Sequence, residues 1–192
     1  KSALLTDLAQ DKGFTLTHYS GKGKSDEQVA ADWQSADLVL LDGINPALSG
    51  YMFGKYQGIV AQQGDLNIVS LGDINNASMN KGLDSDVSQT VAAYYHNAGR
   101  KNYRHMLNYI ESNVLNLTDA QVPAPIIVPA VGVYHPEHPT QLSDNESAFY
   151  TWLNPQQQAV VAIAMHRSVV DYEQTQIVDD LIKGLEAKGA KA

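Results

Sequence analysis

The sequence predicts an α/β fold: a flavodoxin-like or Rossmann-like parallel sheet in the N-terminal half, a helical segment after it, and the start of a second α/β unit. Three observations predict it. Continuous apolar runs at 38–41 and 159–165 read as strands buried on both faces. Between such runs lie segments with apolar residues at helical spacing. A connector with Pro123, Pro125 and Pro129 then separates two halves, because proline forbids a helix there and favours an extended path. The expected organisation is an α/β unit over 1–83, a helical segment over 84–122, and a linker, a Tyr-His-Pro loop and a second α/β start over 123–192.

Residues 2–12 read as a helix ended by Gly13, and 14–19 as a strand of β-branched and aromatic residues. The segment Gly21-Lys-Gly-Lys-Ser25 is not a phosphate loop, since the glycine that motif requires is replaced by His18. Ser25 is the expected N-cap of a helix over 26–34. The strand at 37–42 exits through Gly43-Ile-Asn-Pro46, and 47–63 follows as a helix. Gly50, Gly54 and Gly58 recur every four residues in it, which fits either close helix packing or a loose helix held by tertiary contacts. A further strand covers 67–73. Asp42 and Asp73 stand at carboxyl ends of strands, where such sheets bind ligands, although a lone aspartate there also serves as a helix cap or loop residue. The glycine fingerprint of nucleotide-binding folds is absent after every strand.

A loop over 74–83 leads to a helix opened by Asp84 or Ser85 and running to about residue 97. After an interruption at 96–102, Met106, Leu107, Ile110 and Val114 give a second helix, over 103–117, one apolar face; His105 beside that stripe reads as structural. Beyond the connector, 131–139 packs Tyr134, His135, Glu137 and His138 between two prolines. Residues 146–153 read as a short helix, and 159–165 as the clearest buried strand, with His166 and Arg167 at its carboxyl end. Ile177, Leu181, Ile182 and Leu185 line one face of the last helix, with Gly189 as its C-cap.

Bulk composition bounds the function. The chain has 192 residues, 44% of them hydrophobic and 18% charged, enough to bury a core. A net charge of −8 argues against nucleic acid as a partner, because phosphate contacts need clustered Lys and Arg. With no cysteine, thiolate metal sites, disulfides and cysteine nucleophiles are excluded. No run approaches the roughly 20 apolar residues of a membrane helix. The chain starts at Lys1 with a helix and stops after another, so a piece of a longer protein is expected.

Three segments occur in order: Tyr94-Tyr-His-Asn-Ala-Gly-Arg-Lys-Asn102 with the helix after it; Val131-Gly-Val-Tyr-His-Pro136 after the proline connector; and Val160-Val-Ala-Ile-Ala-Met-His-Arg-Ser168 leading to Leu185-Glu-Ala-Lys-Gly189. Together, over roughly 35–192, this set resembles the N-terminal part of the CobN/magnesium-chelatase H-subunit family. The family's Gly-Gly-x-x-Asn segment is matched here by Gly99 and Asn102, and His166 stands where an aromatic residue or Gln is usual. The resemblance implies the large subunit of a cobaltochelatase-type enzyme, a ligase of cobalamin biosynthesis that inserts a divalent metal, cobalt above all, into a tetrapyrrole or corrinoid ring. It implies ATP hydrolysis by AAA+ partner subunits rather than by this chain, and a cytoplasmic location. The alternatives are a HmuS-like haem dechelatase of haem uptake, placed in the periplasm or cell envelope, and a non-catalytic scaffold domain that docks partner subunits.

Metal insertion requires two pyrrole protons to leave and the metal to shed water; a His or carboxylate near the ring can take the protons, and imidazole suits cobalt or iron. The expected catalytic residues are His135 and Glu137, the expected metal contacts His135 and His138, and the expected tetrapyrrole contacts Tyr134, His166, Arg167 and Asn102. Arg167 suits ring carboxylates because its guanidinium forks to two oxygens. Two plainer readings stand beside these: Tyr134 and His135 tie down a loop at the sheet edge, and Arg167 pairs with a nearby acid.

Overall fold

The computed structural model describes residues 2–18, 25–42, 66–71 and 77–192, together with Gly54 and Gly58. The chain divides into two compact units, Lys1–Ile126 and Ile127–Ala192. The architecture is mixed α/β, with a small parallel sheet and several helices.

In the first unit, α1 (Ser2–Asp11) and α2 (Asp26–Ser35) precede β1 (Leu38–Leu41), and β2 (Asn67–Ser70) lies parallel to β1 with Leu38 opposite Asn67. Ser25 caps α2 as its side-chain chemistry predicts: its hydroxyl accepts from Gln28 N while the Gln28 side chain accepts from Ser25 N, so two otherwise orphaned donors are satisfied. Successive strand residues point to opposite faces. Val39, Leu41, Leu66 and Ile68 therefore pack with Val29 and Trp33 of α2 and with Met79, whereas Val69 and Leu71 pack with Leu4 and Leu8 of α1 and the helices after the sheet. The sheet thus carries a core on each face, the arrangement that parallel pairing favours. On its other edge β2 meets Lys81 in an antiparallel bridge, and Asn80 Oδ1 accepts from Ser70 N at 2.8 Å. Gly82 closes that turn with φ of 78°; a Cβ there would stand 2.8 Å from the Leu66 carbonyl oxygen.

The expected strand at 14–19 does not form over 14–18. Phe14 N donates back to Ala9 O at 2.9 Å, which turns the chain onto α1, and residues 15–18 run exposed with no strand alongside among the described residues. Most of the helix expected at 47–63 and the Asp73 end of the 67–73 strand lie outside the described residues. Gly54 and Gly58 are helical and exposed, and a Cβ on either would meet nothing within 4 Å, so close packing does not explain these two glycines. Asp42 is exposed just past β1.

Helix α3 (Ser85–Asn97) and helix α4 (Gly99–Asn113) pack on each other; α4 also packs on α1, and α3 on β2. The interruption is shorter than the seven residues 96–102 indicate. Ala98 alone breaks the run with φ of 51°; its N–H reaches back to Tyr94 O and Tyr95 O, and α4 begins at once. At the far end Asn116, at φ of 53°, lets Leu117 N reach Glu111 O, so the helix stops before 117. The apolar stripe Met106, Leu107, Ile110 and Val114 is buried as its spacing predicts. Extended residues after α4 lack backbone partners of their own, and side chains supply them. Tyr94 Oη donates to Pro123 O at 2.6 Å, while buried Asn102 accepts from Ile126 N and donates to Ile126 O, both at 2.9 Å.

The second unit holds a two-stranded antiparallel hairpin, β3 (Val133–Tyr134) and β4 (Leu142–Ser143), then α5 (Glu146–Leu153), α6 (Ser168–Asp171) and α7 (Gln176–Glu186). The expected buried strand at 159–165 is a correction: only Val160 joins a bridge, to Lys191, and residues 159–162 and 164 are exposed. Strand formation needs a neighbour along the whole run, and among the described residues Lys191 is what pairs with it. No helix among the described residues is long and apolar enough to cross a membrane.

Replacing Asn102 with Ala strands the N–H and C=O of Ile126. A loss of about 1–3 kcal/mol is expected from an unmade pair of this kind. It is read as a fall in the urea midpoint of the chain; an unchanged midpoint would show that water replaces the amide without penalty.

Candidate functional site

The Tyr-His-Pro segment is the tip of the β3–β4 hairpin. Gly132 admits the chain to it: a Cβ there would lie 2.6 Å from the Ser143 carbonyl oxygen on the paired strand, so only glycine allows that approach. Successive turns then close the tip. His135 N donates to Gln141 O at 3.0 Å, His138 N to His135 O at 3.1 Å, and Gln141 N to His138 O at 2.8 Å.

His135 is 2% exposed. Its Nδ1 accepts from Glu137 N at 3.1 Å, which assigns the proton of the neutral ring to Nε2. Nε2 faces Glu186 Oε2 of α7 at 3.6 Å, longer than a hydrogen bond, so this nitrogen is buried with no hydrogen-bond partner among the described residues. The ring meets Trp152 edge-on with centroids 4.9 Å apart. His138 touches the same indole at 4.9 Å and Phe149 at 5.3 Å, and its Nδ1 is taken by Thr140 N and Thr140 Oγ1. Both imidazoles therefore lean on Trp152, with Nδ1 committed inside the loop. Glu137 is exposed at the tip.

Tyr134 Oη donates to Asp179 Oδ1 at 2.8 Å, and Thr175 Oγ1 donates to Asp179 Oδ2 at 2.9 Å, so both carboxylate oxygens are occupied. Burial pushes the Tyr134 phenol above its ordinary value; Thr175 lowers it and the Asp179 carboxylate raises it further. Asp179 and Glu186 are seven residues apart and share one face of α7. The adjacent pair Tyr134 and His135 thus reaches two acids on one helix face, although the 3.6 Å contact is the looser of the two.

His166 Nδ1 lies 2.8 Å from Ser168 Oγ and 3.2 Å from Ser168 N, a local cap at the start of α6. Arg167 Nε meets both oxygens of Asp171, at 3.1 and 2.9 Å, and its Nη1 donates to Val128 O and Pro129 O at 3.4 and 3.3 Å. Asn102 belongs to the first unit, where it holds Ile126. Of the expected site residues, the structure gathers Tyr134, His135, Glu137 and His138 on one hairpin and places Arg167 against the segment leading into it. Among the described residues no group of three or more His, Asp and Glu side chains has metal-binding spacing. Sequence reasoning missed Trp152, Asp179 and Glu186. The two acids had a legible signal, their heptad spacing on a helix with an apolar stripe; Trp152 had none.

The sequence model of the family CobN/Magnesium Chelatase matches residues 92–192, which include α4, the hairpin and α7. The fold is similar to that of the catalytic subunit of cobaltochelatase from Mycobacterium tuberculosis, at a TM-score of 0.55 and 16% identity; the likeness covers 98% of this chain and 15% of that one. No curated protein matches the chain.

Alkaline titration tests the phenol. Unfolded tyrosine ionises around its ordinary value of 10.0, while Tyr134 and Tyr94 hold their protons to higher pH, Tyr94 through burial and then the charge of Tyr109. Above that value the folded chain binds more protons than the unfolded one, so stability is full below it and falls as pH rises. The urea midpoint should drop between about pH 9 and 11, and drop less in Tyr134→Phe. Equal losses in the variant and the parent would remove Tyr134 from the effect.

Proposed function

The chain belongs to the CobN/magnesium chelatase family, and from that premise we propose that it is part of the large subunit of a cobaltochelatase-type enzyme, which inserts a divalent metal into a tetrapyrrole of the corrinoid class. The single observation that carries the reading is the family match across the helix with Asn102, the Tyr134-His135-Pro136 hairpin and the last helix. The fold likeness to a cobaltochelatase catalytic subunit supports it, and the chain spans about 15% of that subunit's length. Metal and ring are the substrates in this proposal. AAA+ partner subunits hydrolyse ATP, the rest of a longer polypeptide completes the enzyme, and the location is cytoplasmic.

Within this reading the hairpin tip offers two groups for chemistry. Glu137 is an exposed carboxylate suited to accept a pyrrole proton. His138 keeps Nε2 outside the contacts that hold its Nδ1, and neutral imidazole is a ligand for cobalt or iron. His135, buried on Trp152 and facing Glu186, keeps the tip in shape and sets where Glu137 begins through the Glu137 N contact. Its own Nε2–H is directed into the unit, so its part in proton transfer runs through the loop it holds. A second reading, a scaffold domain that docks partner subunits, is favoured by one observation: Asn102, Tyr134 and Arg167 are all engaged by groups of their own unit.

Two measurements separate these readings. In the full-length subunit, Glu137→Gln should cut metal insertion by about tenfold or more, equivalent to about 1.4 kcal/mol in the barrier, with thermal stability unchanged because the side chain is exposed. His135→Ala should lower both. An unaltered insertion rate in a folded Glu137→Gln subunit would take the tip out of the reaction.

Titrating the 192-residue chain with a porphyrin and with a corrinoid distinguishes ring binder from scaffold. A shifted Soret or corrin band that saturates supports ring contact, and unchanged spectra support the scaffold. The chain by itself should insert no metal in either case.

A further inference from the structure

Every histidine of the second unit has its ring held by the same local contact. Glu137 N donates to His135 Nδ1 at 3.1 Å, Thr140 N to His138 Nδ1 at 3.3 Å, and Ser168 N to His166 Nδ1 at 3.2 Å. In each case the donor stands two residues after the histidine. At His135 and His138 the residue between is Pro136 or Pro139. Proline has no N–H to offer and a fixed φ, so the amide after it is the first that can turn back to the ring.

A backbone N–H is always a donor, so the nitrogen it meets must present a lone pair. Neutral imidazole has one such nitrogen and carries its proton on the other, so these contacts assign Nε2–H to all three rings. A metal needs the opposite, the lone pair of the nitrogen it meets. For Nε2 of His138 to bind one, the proton would have to move to Nδ1, against Thr140 N, and that amide would lose its partner. Thr140 Oγ1 lies 3.0 Å from the same Nδ1 and donates to it as well, which strengthens the hold on this tautomer. His135 Nε2–H is buried and faces Glu186. His138 is half-buried against Trp152 and Phe149, and its Nε2 makes no hydrogen bond among the described residues.

We propose that His138 is a hydrogen-bond donor to an oxygen at the edge of the tetrapyrrole, on a carboxylate or amide side chain, and that other groups meet the metal. The proposal rests on the chelatase reading for its ring, and it moves His138 from metal contact to ring contact. It also sharpens the part of Glu137. The lone pairs of both tip imidazoles are taken by Glu137 N and Thr140 N, so the exposed Glu137 carboxylate is the tip group left to accept a pyrrole proton. The two aromatic contacts and the Thr140 contacts fix the His138 ring, so little freedom is lost when Nε2–H finds its acceptor.

Nitrogen-15 NMR of the untagged, histidine-labelled 192-residue chain reads the tautomer at about pH 8, where free imidazole is neutral. The His138 signals, identified by their loss in His138→Leu, should show a lone-pair Nδ1 and a proton-bearing Nε2. The reverse pattern, or an even mixture, overturns the proposal. Equimolar Co²⁺ should leave these signals sharp; selective broadening of His138 makes it a metal ligand and overturns the proposal too. Ring binding is scored by the Soret band in the full-length large subunit. The probes are a porphyrin with free carboxylates and the same porphyrin with those groups converted to amides. His138→Leu should weaken at least one of them by about tenfold, the loss of one hydrogen bond, and the probe more affected names the acceptor. His138→Gln keeps an N–H donor of similar reach and should recover part of that loss. Leu variant and parent binding both probes equally overturns the proposal and leaves the chelatase reading standing. A parent subunit that binds neither probe sinks the chelatase reading, and the ring oxygen with it, whichever tautomer is found.

Discussion

An extended segment with prolines cannot satisfy its own backbone, and that constraint shapes the residues that first drew attention as a site. Residues 118–130 form no ladder and no helix among the described residues, and side chains take several of their N–H and C=O groups. In the first unit Asn102 supplies a donor and an acceptor to the same residue, Ile126, imitating the pairing of a neighbouring strand, and Tyr94 holds Pro123. In the second unit Arg167 reaches Val128 and Pro129 while Asp171 neutralises it. Hydrogen bonds from a charged donor are among the stronger ones, and the bifurcated contact of Arg167 Nε with both Asp171 oxygens keeps that donor in place.

The hairpin follows similar logic. A short two-stranded hairpin is marginal in water. Here Tyr134 ties it to Asp179, His135 is packed under Trp152 towards Glu186, and Phe149 and Trp152 of α5 support the tip. Glu186 also holds Lys191, so one carboxylate lies between the histidine and the segment that pairs with Val160. The chemical groups left at the surface of the tip are few, Glu137 foremost. This narrows a cluster of four candidates to a carboxylate and one imidazole nitrogen, with the others serving as its frame.

Much of the fold was legible from local signals. Ser25 announced α2 because a hydroxyl before a helix has one good use; the continuous apolar run at 38–41 announced a strand buried on both faces, and the sheet carries a core on each face. The Met106, Leu107, Ile110 and Val114 stripe placed α4. The failures share a cause. Residues 14–18 and 159–165 have strand composition, yet composition describes half of a pair. Phe14 was claimed by α1, and 162–165 has no neighbour among the described residues to complete its ladder.

For the site the division is similar. The order of motifs, the glycine at 132 and the pairing capacity of Asn, Tyr, Arg and His are properties of the sequence, and they were enough to point to the chelatase family. Which partner each residue takes was decided by tertiary structure. Asn102 meets Ile126 across 24 positions, Tyr134 meets Asp179 across 45, and His135 lies opposite Glu186. Hydrogen bonding has no sequence range: it is satisfied by whatever group the packing of helices and strands brings within about 3 Å, and that proximity exists only in the folded chain.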